Sequence, residues 1–95
     1  MTIHFTNQRD KEDSMDVSHQ EYVVTFNKQG LKIHWGLYAK QRKNDAHPIV
    51  LGFFASEVDR DAELSDIRDA FAQGEKEYSI KRALPVDRDF SKILG

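Results

Sequence analysis

The chain contains no cysteine, which excludes a disulfide framework, thiolate metal sites and a cysteine nucleophile. Five glycines and two prolines are spread over 95 residues, and no glycine-rich phosphate loop forms among them. No G-x-S-x-G elbow and no H-E-x-x-H helix occurs either. No apolar run approaches the ~18 residues that span a bilayer, and the polar amino end does not read as a signal peptide. Charge of one sign is also lacking: 14 basic against 16 acidic residues leave a net charge of −2. The expectation is a small soluble cytoplasmic protein with no membrane partner.

Metal and cofactor chemistry finds little support. His4, His19, His34 and His47 are isolated, with no pair at helical spacing, and a tetrahedral site needs more ligands than that. Asp59, Asp61 and Glu63 imitate the first three ligands of a calcium loop. Leu64 stands where the sharp turn needs glycine, and Ala70 stands where the distal glutamate belongs. The reading is therefore no metal, no cofactor and no catalytic site.

What is present suffices for one domain: 39 % hydrophobic and 32 % charged residues. The apolar residues are uneven. Between Asn7 and Gln20 only Met15 and Val17 are apolar, too little to offset an ordering entropy of roughly 1–2 kcal/mol per residue. This predicts a mobile amino-terminal arm over 1–20 and a domain over 21–95, with residues 2–6 either an edge strand or a frayed end.

From Glu21 the chain alternates. Tyr22, Val24 and Phe26, then Leu31, Ile33, Trp35 and Leu37, flank the turn Asn27-Lys28-Gln29-Gly30, the pattern of an antiparallel hairpin. Residues 39–47 are loop chemistry closed by Pro48. Ile49–Phe54 reads as a third strand, with Gly52 marking a bulge or a close backbone approach. Ser56 and Asp59 have capping-box spacing. Leu64, Ile67 and Phe71 share a helical face, and Gly74 suits a C-terminal cap. This predicts a helix over about 57–73. Residues 77–84 fit a strand or a helix up to Pro85, and Phe90, Ile93 and Leu94 suggest a short terminal helix. The fold class is α+β: an antiparallel sheet of three to five strands packed by one main helix. Its expected core is Phe26, Ile33, Trp35, Leu51, Phe53, Leu64, Ile67 and Phe71. Ile49-Val50-Leu51-Gly52-Phe53-Phe54 leading into the helix resembles, in topology over 22–73, the three-stranded DNA-reading domains of the integrase amino-terminal type. That likeness implies a fold and carries over no base-reading residue.

Three surfaces are candidates for binding. If the helix covers the expected core, the second sheet face shows Val23, His34, Tyr38, Val50 and Phe54, where a solvated antiparallel sheet is polar. Either a partner protein or a second copy buries that face, or the carboxy-terminal segment folds over it. Asp59, Asp61, Glu63, Asp66 and Asp69 lie on one helix and suit a basic groove of another protein. Lys32, Lys40, Arg42 and Lys43 suit phosphates, with His34, Trp35 or Tyr38 for stacking. The preferred reading is a non-catalytic protein-binding module of the inhibitor or adaptor kind, a size class common among accessory proteins of phages and mobile elements. The alternative is a nucleic-acid-binding module using the basic hairpin 28–43.

Overall fold

The computed structural model describes residues 1–28, 34–44 and 46–86. Among them the fold is α+β, with six strands in two small sheets and one main helix. The first sheet contains β1 (Thr2–Thr6), β2 (Glu12–Asp16) and β6 (Glu77–Ser79). Its central strand β1 runs antiparallel to β2 and parallel to β6. The second is an antiparallel meander of β3 (Val23–Lys28), β4 (His34–Ala39) and β5 (Ile49–Phe54). Helix α1 (Glu57–Ala72) follows β5, and a 3₁₀ turn at Gln20–Tyr22 joins the sheets.

One core lies between these three layers. Ile3, Phe5, Met15, Val17 and Tyr78 enter from the first sheet and its flank. Val23, Leu37, Ala39, Leu51 and Phe54 enter from the second, and Leu64, Ile67 and Ala70 from α1. The stretch expected to be an arm therefore belongs to this core. Asn7 closes the β1–β2 turn: its side-chain oxygen accepts from the amides of Arg9 (2.9 Å) and Lys11 (3.1 Å). Asp10 takes positive φ there, as the last residue of a type I turn with a bulge often does. Because β2 is an edge strand, burying Met15 and the following Val17 is enough to dock it.

The helix obeys its local signals. The Ser56 hydroxyl accepts from the Asp59 amide at 3.1 Å. At the other end Gly74 has φ +74°. The amide of Gly74 donates to Phe71, and that of Glu75 to Ala70, the paired bonds of a Schellman cap. Of residues 77–84, only Glu77–Ser79 form a strand. The proposed terminal helix lies outside the described residues.

The meander's faces depart from expectation. Thr25 lies opposite Leu37, and Phe26 opposite Gly36, so Val23 faces the helix with Leu37 and Ala39 while Val24 and Phe26 face away. A strand read one residue out of step exchanges its two faces. On β5 a bulge inserts Leu51 between Val50, opposite Tyr38, and Gly52, opposite Leu37. That extra residue turns Phe54 inward and Phe53 outward. Of the expected core, Leu51, Leu64 and Ile67 are buried and Phe71 is half-buried against it. Phe26 and Phe53 lie on the outer face, Trp35 is half-buried at the end of β4, and Ile33 lies outside the described residues.

Candidate functional site

The outer face of the meander is built of rings. Phe26, His34, Tyr38 and Phe53 are all half-buried, beside half-buried Val24 and Val50. The Phe26 ring lies 5.3 Å from that of Tyr38 and 5.6 Å from that of Phe53, and His34 is 5.6 Å from Phe53. Gly36 makes the cluster possible, because a Cβ there would come within 2.5 Å of the Phe26 ring. Lys40 extends over Tyr38, its ammonium 6.0 Å from the ring centre, within reach of a weak cation–π attraction.

Alongside the rings runs a groove of about 530 Å³, within the range of roughly 300–1,000 Å³ typical of ligand sites. Gly52, Phe53 and His34 line it from the meander. Thr6, Gln8 and Asp10 line it from the β1–β2 end, and Ile80, Ala83, Leu84, Pro85 and Val86 form its other wall. His34 and Phe53 belong to both features, so groove and ring cluster form one continuous surface.

The candidate residues separate accordingly. His34, Tyr38 and Val50 do share the outer face. Phe54 does not: it is 1 % exposed and part of the core, because of the β5 bulge. Lys40 joins the ring cluster, and Arg42 and Lys43 are exposed in the loop that follows β4. Lys32 lies outside the described residues. Sequence reasoning missed Phe26 and Phe53 as outer-face residues. Glycine at position 36, where alternation calls for a side chain, was the available signal.

The acidic row does not form. At about 100° per residue Asp59, Glu63, Asp66 and Asp69 fall within about 120° of one another on α1 and only Asp61 lies apart, but burial divides them. Asp61 and Asp69 are exposed, Asp59 and Asp66 are half-buried on its flank, and Glu63 is fully buried. Asp61 accepts from Arg60 Nε at 3.2 Å. Arg60, itself buried, reaches Asn27 Oδ1 and the Phe26 carbonyl and so fastens the helix to β3.

Glu63 is buried because four donors surround it. The Tyr78 hydroxyl donates to its carboxylate, the Lys81 and Arg82 amides each donate at 2.7 Å, and Arg82 Nη1 approaches at 3.3 Å. Arg82 also bonds Asp66 at 2.8 Å. Burial pushes the Tyr78 phenol well above its ordinary range, and its bond to Glu63 adds to the shift. Hydrogen bonding to Asp66 raises the Arg82 guanidinium. A buried carboxylate satisfied in this way is a structural tie, and it does not present a free acid or base to a substrate.

Among the described residues no group of three or more His, Asp or Glu side chains could hold a metal ion, and no helix is long and apolar enough to cross a membrane. No protein-family model, curated protein or solved structure matches this chain.

Proposed function

We propose that this chain is a small non-catalytic protein-binding module, of inhibitor or adaptor type, that docks through the outer face of the β3–β4–β5 meander. The contrast between its two sheets carries the reading. Away from the core, the first sheet carries Thr2, His4, Thr6, Glu12, Ser14, Asp16, Glu77 and Ser79, a polar set of the kind a solvated sheet face requires. The meander carries Val24, Phe26, His34, Tyr38, Val50 and Phe53 instead. Aromatic residues on an otherwise polar exterior are characteristic of the centre of a protein interface. The adjoining groove gives a partner's apolar side chain somewhere to enter.

The test pairs the parent chain with a Tyr38→Thr/Phe53→Thr variant in affinity capture from the source cell. The reading expects a partner retained by the parent and lost from the variant, with both folded. Equal retention, or no retained protein, contradicts it.

One observation favours a second reading, nucleic-acid binding: Lys40 stands over Tyr38 among the rings, with Arg42 and Lys43 close by in the chain. Exposed rings flanked by cations suit stacked bases and phosphates. Binding to a mixed DNA and RNA pool that weakens steeply with salt, and disappears in a Lys40/Arg42/Lys43 triple alanine variant, selects this reading over the first.

A further inference from the structure

Residues 80–86, the outer wall of the groove, are attached differently from the rest of the fold. No side chain in this stretch is fully buried: Ile80, Arg82, Ala83 and Val86 are half-buried, and Lys81, Leu84 and Pro85 are exposed. Its backbone is tied mainly by polar bonds. At the start, the Ile80 amide bonds the His4 carbonyl at 2.9 Å as the continuation of β6. Next, the Lys81 and Arg82 amides converge on Glu63 Oε1, each at 2.7 Å. Further along, the Leu84 amide donates to the Phe53 carbonyl at 2.8 Å. Between these ties Ala83 packs so closely on Gly52 that a Cβ on the glycine would come within 2.7 Å of the alanine methyl.

We infer that residues 80–86 are a strap that closes one side of the groove and opens as one unit, with the buried Glu63 carboxylate as its latch. Segments with few buried apolar contacts open separately from the core they lie on. This strap has two apolar side chains against the core, Ile80 and Ala83, both only half-buried, and its middle is held by one side chain, Glu63. Glu63 is kept in place independently of the strap by Tyr78 of β6, so the latch stays positioned while the strap departs. Asp66 on α1 draws Arg82, and more weakly Lys81, toward the same point, guiding the strap back. Once open, the strap uncovers Gly52 and the flank of Phe53 and widens the groove on that side. The inference concerns the unbound chain and holds whichever ligand the groove takes.

Native-state hydrogen exchange on the full chain in rising, sub-denaturing urea tests it. In the parent, the Lys81, Arg82 and Leu84 amides should exchange at least tenfold faster than the β3–β4 ladder, with little dependence on urea. In Glu63→Gln, the same three amides should accelerate at least tenfold again, still with little dependence on urea, while the ladder accelerates only by the variant's loss of global stability. Gly52→Ala leaves the latch intact but pushes on Ala83, and should accelerate the same group. Strap amides that follow the ladder's urea dependence in the parent overturn the inference. So does a Glu63→Gln variant in which these three amides do not accelerate. Should Glu63→Gln not fold, the parent series and Gly52→Ala decide the matter alone.

Discussion

Two three-stranded sheets share one core in this protein, and their outward faces are opposites. On the first sheet the outward side chains satisfy one another: Thr2 donates to Asp16 at 2.6 Å, and His4 and Glu77 meet at 3.3 Å. On the meander the outward side chains are rings that pack on one another and remain half-buried. Four half-buried rings are more than a solvated sheet face needs, and this contrast is what the proposed docking face rests on. The inner faces of both sheets do the same work, contributing aliphatic and aromatic groups to a common interior.

Substitutions on the two kinds of face should differ in cost. The largest effect belongs to the inner face: Phe54→Ala should cost roughly 3–5 kcal/mol, the usual range for emptying a buried aromatic site, read as a shift of the urea midpoint. A result near zero would mean that the bulge assignment on β5, and with it the division into faces, is wrong. Next comes the tie between helix and strap. Glu63→Ala leaves two amides and the Tyr78 hydroxyl without their acceptor, and should cost about 3 kcal/mol. Glu63→Gln, which keeps one acceptor oxygen, should cost less.

A pH experiment probes the same tie. The phenol of Tyr78 holds its proton more tightly in the folded chain than in the unfolded one, chiefly through burial. Its contribution to stability is therefore complete below the ordinary tyrosine value of 10.0 and is lost as the pH climbs beyond it. Tyr78→Phe should flatten the alkaline limb of a stability–pH curve, and an unchanged limb contradicts the burial argument. The smallest effect on stability belongs to the outer face. Tyr38→Thr and Phe53→Thr should each cost no more than about 1.5 kcal/mol, the low end of what a fully buried large side chain contributes, while removing binding. A loss as large as that of Phe54→Ala would place these rings in the core and dissolve the contrast.

Much of this architecture was legible in the chain. Ser56 and Gly74 delimit α1, the alternation from Tyr22 to Leu37 announces the β3–β4 pair, and Gly52 marks both a bulge and a close approach by Ala83. The faces were less legible, for a physical reason: on β3 and β5 the apolar residues are dense on both sides, so periodicity finds the strands without saying which side the helix covers. Strand β2 escaped because an edge strand needs only Met15 and its neighbour Val17 to dock. Glu63 read as one acid among five, since its burial depends on Tyr78, Lys81 and Arg82, 15 to 19 residues away in the chain. Composition cannot report such a distant set of donors.

In the proposed function, the meander's outer face is where this protein meets its partner. The most direct test of that reading is a residue-by-residue map of amide shifts as the captured partner is titrated into isotope-labelled chain. The account predicts perturbations gathered at Val24, Phe26, His34, Tyr38, Val50 and Phe53 and along the adjoining groove. Perturbations centred instead on the exposed side of α1, at Asp61, Arg68 and Asp69, would contradict it.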